Sequence, residues 1–191
     1  HMTKKPQAPI IESVGESNQS LTVTVNAPAD VGQDTINKYQ LYLNDALHSQ
    51  EHTSNTSVIF AVSGLSNGTI YNLKVRIVNN TGSSEEYSDI VQASPYGAMS
   101  IVSAVASGKQ LTLTINPNGR GVEKVILLGI DNSPTEELVA NSIFDISQNQ
   151  ISQTQNANIT VTKTFSGLSG DLSFYLAVVH CNNVVQFIKS T

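Results

Sequence analysis

The chain has 191 residues, of which 39% are hydrophobic and only 13% charged, with a net charge of -5. About a quarter charged is usual for a soluble protein, so polarity here comes from Ser, Thr, Asn and Gln. No basic stripe is present, which sets nucleic acid aside as a partner, and no apolar run approaches the roughly 20 residues that cross a bilayer.

Cys181 is the only cysteine, which excludes an internal disulfide and a cysteine-based metal site. The chain opens His1-Met2, which reads as a cloning remnant. Residues 19–28, QSLTVTVNAP, alternate strictly: Leu21, Val23 and Val25 point one way, Thr22 and Thr24 the other. Period two with β-branched side chains predicts a half-buried strand. The same pattern follows at Tyr39, Leu41 and Leu43, and at Tyr71, Leu73 and Val75.

Between these strands stands His48-Ser49-Gln50-Glu51-His52, an H-x-x-E-H match. On a helix the two imidazoles would share a face and hold zinc. In an extended segment they stand about 13 Å apart at roughly 3.3 Å per residue, so a polar loop or edge strand is expected and no metal site. Gly64-Leu65-Ser66-Asn67-Gly68 matches G-x-S-x-G, the spacing of a nucleophile elbow. That motif needs a helix after the serine, whereas alternation from Tyr71 predicts a strand. Ser66 is therefore expected in a turn, with no catalytic residue in the chain. No phosphate loop, EF-hand or dinucleotide motif appears, and no cofactor is expected.

The pattern then repeats. KQLTLTINPN (109–118) answers QSLTVTVNAP, and KTFSGLSGDLSFYLAVVHCNN (163–183) answers FAVSGLSNGTIYNLKVRIVNN (60–80). Each copy supplies about seven strands, which predicts two consecutive antiparallel β-sandwiches in an all-β chain. A short joint at Ser94-Pro95-Tyr96-Gly97 divides them, giving domains at 6–96 and 97–191.

These residues resemble the fibronectin type III family. The resemblance rests on Leu21-x-Val23-x-Val25 with Pro28, Tyr39-x-Leu41-x-Leu43, Val62-x-Gly64-Leu65, Tyr71-x-Leu73-x-Val75, and Tyr87-Ser88 before Pro95. It implies that Tyr71 sits at the E–F corner with its hydroxyl bonded back to the turn. Val25 stands where the family usually has a core tryptophan. The second copy matches less well: Ser166-Gly167-Leu168 is kept, but Phe174 replaces the corner tyrosine.

In this frame the outside of the first domain's C–F–G sheet carries Gln40, Tyr42, Asn72, Lys74 and Arg76. Tyr42 beside two cations is a candidate site for an anionic or carbohydrate ligand. The F–G segment, with Asn79, Asn80 and Thr81, is a second candidate. In the second domain the C, F and G strands (125–130, 174–179, 184–188) are apolar on both faces, and a bare face of that kind calls for a cover. One cover is the insertion at 131–157, between the C and E strands, where Ser133-Pro134-Thr135-Glu136 is a capping box that predicts a short helix. The other is a protein partner or a second copy of the chain. The reading is a non-enzymatic spacer and interaction module of a larger extracellular, cell-surface or virion-surface protein. The alternative is an accessory domain pair of a secreted carbohydrate-active enzyme.

Overall fold

The computed structural model describes residues 5–30, 37–53, 56–79, 81–84, 86–129, 160–167, 174–182 and 184–190. All regular structure among them is β-strand. The chain divides into two compact units, His1–Pro95 and Tyr96–Thr191.

In the first unit, β1 (Ile10–Ser17), β2 (Ser20–Asn26) and β5 (Val58–Val62) form one antiparallel sheet in the order β1-β2-β5. The second sheet runs β4 (Ala46–Thr53), β3 (Asn37–Leu43), β6 (Tyr71–Asn79), β7 (Gly82–Ser83), and β8 (Val91–Ala93) also pairs with β6. Alternation does the sorting. Leu21, Val23 and Val25 of β2 meet Tyr39 and Leu41 of β3 and Leu73, Val75 and Ile77 of β6 in one core, with Phe60 and Val62 of β5. Each such side chain contributes roughly 1.5–3 kcal/mol on burial. Val25 is fully buried, and the rings of Tyr39 and Phe60 supply the bulk that a core tryptophan would give.

Beyond Pro95 the arrangement recurs. Strands β9 (Ser100–Ser107), β10 (Gln110–Asn116) and β12 (Val161–Phe165) form a sheet in the order β12-β10-β9. Strands β11 (Val122–Gly129), β13 (Tyr175–His180) and β14 (Val185–Lys189) form another in the order β11-β13-β14. Leu111, Leu113 and Ile115 face Val122, Val125, Leu176 and Val178 across the core. The proposed helix falls within the insertion at 131–157, which lies outside the described residues.

One register position differs tellingly between the units. Val23 pairs with Phe60 in the first, while its counterpart Leu113 pairs with Lys163 in the second. A lysine on the inner side of an edge strand discourages pairing with another chain. Its ammonium lies 5.6 Å from the centre of the Phe165 ring.

Candidate functional site

The G-x-S-x-G string forms the turn before β6. Gly64 and Gly68 have φ of 72° and 83°, a left-handed conformation that favours glycine. The Ser66 N–H donates to the Tyr71 hydroxyl oxygen at 2.9 Å, and the Leu65 N–H donates to the Gln19 carbonyl at 3.0 Å. Asn67 Oδ1 accepts from the Gln19 N–H at 2.8 Å, tying the turn to the start of β2. A strand follows at Tyr71, so the local requirement for a nucleophile elbow is not met. The string shapes a backbone corner.

His48 and His52 lie on β4, the outer strand of its sheet, and both are exposed. The strand is extended across both histidines. His52 Nε2 is 3.2 Å from the Gln50 amide nitrogen. No group of three or more potential metal-binding His, Cys, Asp or Glu occurs among the described residues.

The residues that converge are on the outer face of the β3–β6 pair. In β3, Tyr39 and Leu41 point into the core, which turns Lys38, Gln40 and Tyr42 outward. In β6 the same alternation turns out Lys74 and Arg76. The antiparallel register sets Gln40 opposite Arg76 and Tyr42 opposite Lys74. The Arg76 Nε–H donates to Gln40 Oε1 at 2.9 Å, and Gln40 Nε2 donates to Gln50 Oε1 at 2.8 Å.

A residue outside the predicted set completes the cluster. The Tyr87 ring meets Tyr42 edge-on, centroids 5.2 Å apart at 90°. Lys74 Nζ lies 4.2 Å from the Tyr87 centroid, and Arg76 Cζ lies 5.4 Å from both tyrosine centroids. Both distances are within reach of cation–π attraction. Lys74 also pairs with Asp45 at 2.9 Å, and that hydrogen bond raises its pKa. Burial, then the hydrogen bond with Tyr87, push the Tyr42 hydroxyl above its ordinary value, against the pull of Arg76.

Tyr87 is carried there by a break in the strand beside β6. Between β7 and β8 the chain leaves the ladder, and two buried serines replace the missing pairing. Ser84 Oγ accepts from the Ile77 N–H at 3.2 Å, and Ser88 Oγ accepts from the Val75 N–H at 3.0 Å. Tyr87, just before Ser88, lies on the outer face against Tyr42. Irregular chain has no period, so only Tyr87's place among the family-marking residues pointed to it.

The other predicted residues separate. Asn79 is buried at 8% exposure. Its Oδ1 accepts from the Thr81 N–H at 2.9 Å and the Gly82 N–H at 3.3 Å, and its Nδ2 donates to Asn37 Oδ1 at 2.9 Å. It builds the turn into β7. Thr81 is half-buried in that turn, and Asn80 lies outside the described residues.

In the second unit, Ile126 and Ala177 on the outer face of the β11–β13 pair are buried in a small cluster with half-buried Val185 and Phe187. His180 is buried, its Nδ1 2.9 Å from the Arg120 carbonyl. Its ring meets Tyr96 at 5.3 Å, and the Arg120 guanidinium lies 4.7 Å from the Tyr96 centroid. Burial lowers the His180 pKa, partly offset by the hydrogen bond to the Arg120 carbonyl.

Two antiparallel sheets in this strand order, closed by a tyrosine corner, define a fibronectin-type β-sandwich. Residues 4–94, the span of the first unit, match the model of the fibronectin type III domain. No curated protein matches the chain. Similar solved structures include the fibronectin(III)-like modules of Clostridium thermocellum CbhA, at 13% identity over 95% of this chain and 92% of that one, with a TM-score of 0.39. The central fibronectin-III array of RIM-binding protein aligns at 15% identity over 98% of this chain and 68% of that one, TM-score 0.35. The FN1–FN3 domains of chicken CNTN1 align at 10% identity over 98% and 68%, TM-score 0.38. Scores of this size define neither a shared domain arrangement nor a shared ligand.

Proposed function

We propose that the chain is a non-catalytic spacer and recognition module of a larger extracellular, cell-surface or virion-surface protein. Its first unit engages a partner through the outer face that carries Tyr42, Tyr87, Lys74 and Arg76. The observation that carries this reading is the state of Arg76. Its guanidinium is oriented by Gln40 and flanked by two rings, an arrangement that fixes a donor array in advance of a ligand. The half-buried Val185 and Phe187 support a second contact, with a protein partner or another copy of the chain, on the second unit. Asn79 and Thr81 serve this reading by fixing the end of β6.

The test is a binding screen of immobilised proteins and glycans with the wild type and a Tyr42→Ala, Arg76→Ala double variant. Ligands whose binding falls at least about tenfold in the variant are expected. Binding indifferent to the double variant would remove this face from the function. Esterase turnover abolished by Ser66→Ala would make the chain an enzyme.

A further inference from the structure

We propose that the outer face of β4, β3 and β6 docks an extended acidic peptide with carboxylates at alternate positions. The proposal rests on reading this face as the recognition surface, and it names the ligand. The register lays out three successive cross-strand rows: His52–Lys38–Val78, Gln50–Gln40–Arg76 and Leu47–Tyr42–Lys74. Each row holds one permanent cation: Lys38, then Arg76, then Lys74. Rows two residues apart are spaced by roughly 6.6–6.8 Å, and side chains on one side of an extended peptide recur at that same interval. A Glu-x-Glu-x-Glu segment laid along the strands therefore brings one carboxylate to each row.

The charges on this face are set for such a ligand. The molecule has 10 Lys and Arg against 15 Asp and Glu, yet three of its cations share these rows. Among the described residues, Lys38 and Arg76 have no carboxylate partner. Arg76 uses Nε on Gln40 and also hydrogen-bonds the Tyr42 hydroxyl; the remaining N–H groups of its guanidinium can donate to a carboxylate. Lys74 holds Asp45, whose side chain is 84% exposed. Asp45 shows the chemistry this row attracts, and it competes with an incoming carboxylate. A sugar ring would need an open aromatic face. Lys74 and Arg76 lie over these rings, which favours a peptide over a polysaccharide.

The test is fluorescence anisotropy on the whole chain at low salt, with two labelled peptides of equal composition. One is Ser-Glu-Ser-Glu-Ser-Glu-Ser and the other Ser-Ser-Glu-Glu-Glu-Ser-Ser. The alternating peptide is expected to bind saturably and about fivefold or more tighter than its isomer. Arg76→Gln and Lys38→Gln each weaken it about fivefold, the worth of one exposed charge pair near 1 kcal/mol. Arg76→Lys retains part of the affinity, and Lys109→Gln on the second unit leaves it unchanged. Asp45→Asn strengthens binding severalfold by releasing Lys74, an effect that a purely structural role for the pair does not give. Equal affinity for the two isomers, no saturable binding, or indifference to Arg76→Gln and Asp45→Asn would each overturn the proposal. Polygalacturonate binding that is lost in Arg76→Gln, with no peptide binding, would assign the face to a polysaccharide; this proposal then falls while the recognition surface stands. Should neither probe bind, a face-dependent ligand from the protein and glycan screen still separates the two failures.

Discussion

Tyr71 accepts one hydrogen bond from the Ser66 N–H, and that bond turns a hydrolase-like string into a corner. Tyr71→Phe is expected to cost about 1 kcal/mol, the usual net worth of such a bond, read as a lower urea midpoint with unchanged slope. Ser66→Ala keeps the main-chain donor, so the unfolding free energy should change by less than about 0.5 kcal/mol. At Gly64, with φ of 72°, an added Cβ meets nothing within 4 Å. The cost of Gly64→Ala is therefore the left-handed backbone alone, about 1–2 kcal/mol, with Gly64→Asn costing less. Gly64, Leu65 and Tyr71 were legible in the sequence because their roles are fixed by local spacing. Asn79 was not: a buried asparagine that closes its own turn has the same letter as one offering its amide to a ligand.

At the scale of elements, alternation revealed the paired strands and failed where pairing stops. Ser84 and Ser88 look like loop residues, yet their hydroxyls stand in for strand partners of Ile77 and Val75. Ser88→Ala strands a buried N–H and should cost about 1–3 kcal/mol. Faster amide exchange at Val75 is the direct check, and loosening of Tyr87 should weaken ligand binding in the same variant. The apolar reading of β11, β13 and β14 found their inner face and also the cluster of Ile126 and Ala177 on the other side. Lys163 shows the limit of pattern: its neighbours Val161 and Phe165 share its side of β12, but a charge among them hides the strand's inward face from a hydropathy reading. Lys163→Leu would extend that apolar row. It is expected to raise the urea midpoint of the second unit while increasing light scattering at high concentration, because the edge loses its guard.

For the whole molecule, pH is the informative variable. Burial lowers the His180 pKa below its ordinary value of 6.5, so the unfolded chain binds this proton more readily than the folded one. The stability His180 contributes is fully present above about pH 6.5 and is lost as pH falls toward the depressed folded value. Unfolding of the second unit should ease between pH 7 and 5, and His180→Gln should flatten that dependence. The division at Pro95 and Tyr96 lies within the Pro-Gly joint that the repeat exposed. The two-sandwich fold was legible because repetition needs no knowledge of contacts. The Tyr42–Tyr87 pair was not, because its two members are brought together by a strand break with no period.

Amide shift mapping tests the recognition surface most directly. With the alternating Glu peptide added to the isotope-labelled chain, the account predicts saturable shifts concentrated at Lys38, Gln40, Tyr42, Lys74, Arg76 and Tyr87. Shifts confined to the second unit, or scattered without saturation, would contradict it.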